Sequence, residues 1–501
     1  MAVEGQVIEG GVPGARTPAM PAVGPAPTRD AAEIDRARGL FEAQLGARWR
    51  LAARGASERI ARIRALRDAI ERRREELFEA IRGDFGKHPV ETEVTELQPV
   101  LVELAHTIRH LARWMRPRRV GTPLLLAGTR SEVRPEPKGR VLVLSPWNYP
   151  FYLAVNPLVG AVAAGNTVIL RPSDKVPRTS RFLQSLVAEV FPEDEAAVVL
   201  GGHAVADALL ELPFDHVFVT GSTAVGKKVM AAAARHLASV TLELGGKSPA
   251  FVDESANVRD AAARITWGKF VNAGQTCVAP DYVLVAASRQ QELVEALKAR
   301  IAAQYGASAT DRAQSPDYCR IVDRGSAERL ARLLREAVER GARVEIGGDV
   351  DVGGRYVAPT VLTNVGFDSP AMQAEIFGPI LPVIPYRDVG EALAFVRSRP
   401  KPLALYVFAA RRRAVERIVA GTTAGGTSVN HVLIHLANPG LPFGGVGDSG
   451  LGSYHGEHGF RAFSHERAVL VQGRPALTDR LVPPYRAGVR RLVALARRVI
   501  R

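Results

Sequence analysis

Hydrophobic and polar positions follow two different rhythms along this chain. The first third is helical in period. Residues 31–53 predict one helix, and a second begins at Ser57, where Ile60, Ile63, Leu66, Ile70 and Leu77 fall along one face with Arg and Glu opposite. A further long helix is expected over Thr92–Trp114. Pro117, Pro123, Pro135 and Pro137 then interrupt the period around an extended stretch, Leu124 to Val133, which reads as a projecting arm or edge strand.

From Gly139 the rhythm changes to short apolar runs alternating with helices. Strands are expected at Arg140–Leu144, Asn166–Leu170, Ala196–Leu200 and His216–Thr220. The helices between them cover Leu153–Ala164, 177–191 and Ala204–Glu211. Such β-α-β repetition predicts a parallel sheet with helices on both faces. A second series follows Gly245, with strands near Ala250–Val252, Val283–Val285, Arg343–Glu345 and Pro382–Ile384 and helices over 257–271, 289–303 and 325–341. The expected fold is therefore α/β, with two sheet-containing domains and a small β-arm.

The length of 501 residues exceeds what one hydrophobic core supports. The boundaries read from these changes are a Pro/Gly-rich tail over 1–30, a first domain over 31–244 with its arm at 118–138, and a second domain over 245–445. A return segment follows over 446–475, and a basic helix over 476–501 ends the chain. Composition is that of an ordinary globular protein, 47% hydrophobic and 24% charged. No apolar run approaches the ~18 residues of a membrane span, and the N-terminus lacks the plan of a signal peptide.

The net charge of +14 invites a nucleic-acid reading, but its distribution argues against one. Residues 471–501 hold eight arginines against Asp479, which is half the excess, and no basic stripe interleaved with aromatics occurs elsewhere. The terminal helix has Val489, Leu492, Val493, Ala496 and Ile500 on one face. That leaves open contact of 484–501 with an anionic membrane surface, or packing over the mouth of an active site or on a partner subunit. Two cysteines, Cys277 and Cys319, form neither a disulfide framework nor a metal pattern, so a reducing, cytoplasmic setting and no metal are expected.

Candidate chemistry gathers at the ends of the predicted strands. Cys277 lies among small and polar residues in Gly274-Gln275-Thr276-Cys277, and Glu243 precedes the Gly245-Gly246 turn. A free cysteine is more often inert than reactive, yet a thiol with a carboxylate suggests nucleophile and base. Asn148, in Pro146-Trp147-Asn148, follows the first sheet strand and is either a turn residue or an oxyanion donor. Gly221-Ser222-Thr223, then Gly226-Lys227, makes a strand–turn–helix start suited to a pyrophosphate or to plain packing. Lys228 stands where a nucleotide-triphosphate loop needs Ser or Thr, so that reading fails. Arg171-Pro172-Ser173-Asp174, at the end of the second strand, could face a ribose or simply cap a turn.

Together these motifs, with Glu375-Ile376-Phe377-Gly378-Pro379 and Pro442-Phe443-Gly444-Gly445, resemble the aldehyde dehydrogenase superfamily over about residues 35–475. The wording Cys277-Val278-Ala279-Pro280-Asp281-Tyr282 and Phe463-Ser464-His465 is similar to its class 3 branch, which acts on fatty, aromatic and coniferyl aldehydes. The resemblance implies a Rossmann-like cofactor domain, a catalytic domain, an oligomerisation arm, a homodimer and an NAD- or NADP-dependent oxidation of an aldehyde to its acid. It implies Cys277 as nucleophile, Glu243 as base for thioester hydrolysis and Asn148 as oxyanion donor. Cofactor contacts would come from Trp147, Arg171, Asp174, Gly221, Ser222, Thr223, Gly226, Glu375 and Phe377. Arg171 and Asp174 replace the usual Lys and Glu of the ribose motif, which leaves NAD against NADP open. His431 stands where class 3 members commonly carry Asp, near the expected substrate entrance, and His431 and His435 read as specificity or packing residues. A CoA-dependent acylating enzyme of the same superfamily would not need Glu243. A non-catalytic binding protein on the fold would have lost Cys277, Glu243 or Asn148.

Overall fold

The computed structural model describes residues 29–123, 126–473, 479, 481–485 and 487–499. The expected tail therefore falls almost wholly outside the described residues, as do Leu124, Leu125 and parts of the C-terminal segment. Two α/β layers and one antiparallel arm make up the molecule. The first sheet has six strands in the order Gly450–Leu451, Ser239–Glu243, His216–Thr220, Arg140–Leu144, Thr167–Arg171 and Ala196–Val198. The last five are parallel, and Gly450–Leu451 is antiparallel to its neighbour. In chain order the parallel strands lie 3-2-1-4-5, so the direction of winding reverses between Arg140–Leu144 and His216–Thr220. In such sheets a cleft opens beyond the carboxyl ends of the strands at that reversal.

The second sheet has seven strands in the order Arg343–Ile346, Thr360–Thr363, Ile380–Tyr386, Tyr282–Ala286, Pro249–Val252, Ala404–Phe408 and Gly426–Val429. Only Arg343–Ile346 runs antiparallel. Central strands of both sheets are buried along their whole length, as in Arg140–Leu144, Tyr282–Ala286 and Ala404–Phe408. A strand covered on both faces needs an unbroken apolar run, which is what these sequences supply.

The arm is a three-stranded antiparallel sheet with Thr129–Pro137 between Arg118–Val120 and Ser464–Gln472. It starts and ends later than the stretch Leu124–Val133 expected from sequence, and it runs through Pro135 and Pro137. Pairing with Arg118–Val120 stops at Val133, so both prolines lie where one side of the strand has no ladder to donate to.

Two helical expectations are revised. The helix expected from Ser57 through Leu77 is broken at Arg73, giving Ala56–Arg72 and Arg74–Phe85. The helix expected over Thr92–Trp114 is a short helix Pro89–Thr92, a π-helical turn Glu93–Leu97 and a helix Gln98–Trp114. Pro99 has no N–H to give the carbonyl one turn earlier, and a wider turn there relieves the mismatch. That turn borders the candidate site.

Candidate active site

Cys277 follows three residues with left-handed backbone, Asn272 (φ 54°), Ala273 (φ 50°) and Gly274 (φ 72°), between the helix Val258–Phe270 and the strand Tyr282–Ala286. Gly274 cannot be replaced without moving backbone, since a Cβ there would lie 2.3 Å from the Gly378 carbonyl oxygen. The loop is pinned from several directions. Asn148 Nδ2 donates to the Gln275 carbonyl at 3.0 Å, and Asn272 Nδ2 donates to the carbonyls of Asn148 (2.8 Å) and Gln275 (3.1 Å). The Tyr149 hydroxyl meets the Thr276 hydroxyl at 2.6 Å, and the Tyr406 hydroxyl donates to the Val278 carbonyl at 2.5 Å. Behind them the Asn272 N–H donates to Glu91, while a fully buried Lys87–Glu96 pair (2.7 Å) accepts the Phe151 N–H. The strained turn is thus held by neighbours on every side.

Glu243, at the end of Ser239–Glu243, is buried, and neither of its carboxylate oxygens has a hydrogen-bond partner. Burial raises its pKa to about 8, with the Cys277 thiol and the Thr220 hydroxyl beside it offsetting part of the shift. Burial, then the carboxyls of Glu243 and Glu375, push the Cys277 thiol well up. Glu375 is raised too, first by burial and then by Asp281. Its carboxyl lies against the glycine turn after Glu243, 2.0 Å from where a Gly245 Cβ would stand. One thiol and two carboxyls therefore share a desolvated space in which charge is costly. An orphaned carboxyl beside a thiol suits proton transfer better than structural pairing.

The expected cofactor residues line the carboxyl edge of the first sheet. Ser222 caps the helix Thr223–Ala234 by accepting from the Val225 N–H, and the Thr223 hydroxyl donates to the Asp448 carbonyl (2.9 Å). A Cβ on Gly226 would approach Leu244 to 2.7 Å, so this glycine lets helix and strand pack closely. Trp147 and Phe377 meet edge to face at 5.4 Å, bridging the two sheets. Arg171 is buried and bonded to Asp174 (3.1 Å) and to the Gly201 carbonyl (2.5 Å). A helix N-terminus at the winding reversal and a close-packed glycine fit a dinucleotide running along this edge.

On its other side the thiol opens into an apolar cavity of about 210 Å³. Val94, Pro99, Tyr152, Trp267, Leu436 and Phe443 are among its walls, and Thr95, Thr276 and Cys277 also line it. The structure thus brings Cys277, Glu243, Asn148 and Glu375 together, with Trp147 and Phe377 adjoining. Arg171 and Asp174 stand apart, farther along the sheet edge. Of the two histidines, His431 bonds the backbone of its neighbour Val432 and lies edge-on to Trp267 at 6.0 Å. His435 packs near Tyr406 and Phe443 with both ring nitrogens unpartnered, and burial lowers its pKa to about 4. The cavity walls went unread in sequence, because each apolar residue looked like core on its own element. Tyr149 and Tyr152 were in plain view beside Asn148.

The sequence pattern of the aldehyde dehydrogenase family matches residues 20–469. The 4,4'-diaponeurosporen-aldehyde dehydrogenase of Staphylococcus aureus is 44% identical over 430 residues, 86% of this chain and 92% of that protein. A dimeric NADP-preferring aldehyde dehydrogenase of Rattus norvegicus is 44% identical over 414 residues, 83% of this chain and 90% of its own. The substrate-bound structure of Staphylococcus aureus AldH superposes with a TM-score of 0.87 at 41% identity, covering 91% of this chain and 99% of that one. The chain belongs to the aldehyde dehydrogenase family, enzymes that oxidise aldehydes with NAD or NADP.

Proposed function

We propose that this enzyme oxidises apolar aldehydes, aliphatic of medium or long chain or aromatic, to carboxylic acids through a Cys277 thioester. The observation that carries this reading is a thiol that lines an apolar cavity and stands beside an orphaned, buried carboxyl. A bound oxidised nicotinamide supplies the hydride acceptor and a positive charge that favours the thiolate. Cys277 Sγ, its proton released to solvent, bonds the aldehyde carbon, and the resulting oxyanion is held by the Asn148 amide and the Cys277 N–H. Departure of hydride from that carbon leaves the thioester on Cys277. Glu243 takes a proton from water, the hydroxide displaces sulfur, and the acid leaves with the thiol restored.

Trp147, Glu375 and Phe377 are assigned to the nicotinamide end of the cofactor. Gly221, Ser222, Thr223 and Gly226 are assigned to the pyrophosphate, and Arg171 and Asp174 to the adenosine ribose. In this reading residues 31–244, with the arm over 118–138, form the cofactor domain and 245–445 the catalytic domain. Residues 446–475 return to close the cofactor sheet and complete the arm. Hexanal, benzaldehyde and succinic semialdehyde, each assayed with NAD⁺ and NADP⁺, test the proposal. Hexanal and benzaldehyde are expected to give the higher kcat/KM, and preference for the semialdehyde would overturn the substrate class.

We further propose a homodimer joined through the arm, in the cytoplasm, where its two free thiols stay reduced. Among the described residues no helix is long and apolar enough to cross a membrane. The basic helix Ala487–Val499 supports a peripheral contact instead: Arg490, Arg491 and Arg497 are exposed, and so is Val493 at 42%. Co-sedimentation with phosphatidylserine vesicles at physiological salt, lost on deleting 484–501, is expected. Absence of binding by the full chain removes this contact.

A further inference from the structure

Lys247, four residues after Glu243, has no part in the chemistry above, yet it is nearly buried and saturated with acceptors. Its ammonium donates to Asp281 Oδ2 at 2.5 Å, to the Ala371 carbonyl at 2.6 Å and to the Ala374 carbonyl at 3.2 Å. Asp281, four residues after Cys277, is buried in turn and accepts the Ile376 N–H at 3.1 Å. Its own N–H donates to the Ser248 carbonyl at 2.8 Å. The backbone on both sides of Glu375 is thus fixed by one ion pair, Ala374 by the lysine and Ile376 by the aspartate. Lys269, fully buried with its ammonium 3.6 Å from Asp281 and no hydrogen-bond partner, adds a second positive charge beneath the same carboxylate.

We infer that Lys247 and Asp281 are positioning residues that set cofactor affinity by fixing where Glu375 stands. A carboxyl pressed against a glycine turn has little tolerance. A lateral shift of the Ala374–Phe377 loop would carry Glu375 off Gly245 and Phe377 off Trp147. The pair also ties together the turn after Glu243, the segment after Cys277 and the loop holding Glu375. A buried ion pair with its remaining hydrogen-bonding capacity filled is suited to fixing one arrangement among alternatives.

The inference rests on Glu375 contacting the cofactor, and the experiment separates the two claims. NAD⁺ and NADP⁺ binding to the full-length enzyme is read directly from quenching of tryptophan fluorescence. The variants are Lys247→Met, Lys247→Arg, Glu375→Gln and the Lys247→Met/Glu375→Gln double variant. Lys247→Met should raise Kd by about tenfold or more, since an ångström of misplacement is enough. The KM for hexanal should stay within about twofold, because the apolar walls at Val94, Pro99, Tyr152, Trp267, Leu436 and Phe443 lie on other segments. Lys247→Arg should recover most of the affinity. In the Glu375→Gln background the lysine change should have little further effect. Full additivity of the two changes, or an unchanged Kd in Lys247→Met, overturns the positioning role. An unchanged Kd in Glu375→Gln overturns the contact on which it rests. Should Lys247→Met fold poorly, Asp281→Asn carries the same prediction, with the same cycle against Glu375→Gln.

Discussion

The two walls around Cys277 are built on opposite principles. One is polar and interlocked: Asn148, Asn272 and Gln275 exchange hydrogen bonds within about one residue's reach, and Glu243 and Glu375 stand desolvated beside the thiol. The other is apolar and assembled from distant segments, with Val94 from a π-helical turn, Trp267 from a helix and Leu436 from a 3₁₀ turn. In the proposed mechanism the polar wall meets the reacting atoms of every aldehyde alike, whereas the apolar wall meets only the part that varies. Changes in the first should therefore lower kcat for all substrates, and changes in the second should redistribute KM among them.

The sharpest test of that division is Cys277→Ala, expected to lower turnover of every aldehyde by about 10⁴-fold or more in a cofactor-reduction assay. Next comes Glu243→Gln, expected to cut steady-state turnover about 10²–10³-fold while leaving a burst of reduced cofactor in stopped flow, since only hydrolysis needs the base. The pH profile belongs with it. The Glu243 carboxyl, raised to about 8, gains its basic form as pH rises, so wild-type deacylation should increase up to about pH 8 and level off above it. The Gln variant should lose that limb. Asn148→Ala should cost about 10²-fold in kcat, with the hexanal KM nearly constant. The smallest effect tests the apolar wall. Leu436→Asn should raise the KM for hexanal about tenfold, from one apolar side chain's worth of transfer energy, while moving kcat and the KM for acetaldehyde less than twofold. A uniform fall in kcat for this variant would erase the distinction between the walls.

What could be read in advance divides along the same line. Arg140–Leu144 and His216–Thr220 were placed residue for residue, because a strand buried on both faces is an unbroken apolar word. The polar wall was legible because it sits in short runs next to glycine and proline. Other features left no local trace. The π-helical turn at Glu93–Leu97 sits inside a sequence whose period is plainly helical, and its cause, Pro99, is also a common first-turn residue. Strand Ala404–Phe408 was passed over among breaks in rhythm, and strand Gly426–Val429 was hidden in a glycine-rich stretch that reads as loop. The Lys247–Asp281 pair joins residues 34 positions apart, brought together only when the neighbouring parallel strands Pro249–Val252 and Tyr282–Ala286 pair.

The short strand Gly450–Leu451, which lies antiparallel to Ser239–Glu243, bears on how the chain reaches this state. Until the ribosome has released that late segment, the strand carrying Glu243 is a bare sheet edge with unpaired N–H and C=O groups. Thr129–Pro137 likewise waits for Ser464–Gln472. Both closures are long-range contacts that a nascent chain cannot make, which slows folding and leaves the partly made enzyme adhesive. Truncation before residue 450 should therefore yield aggregates rather than a smaller soluble protein.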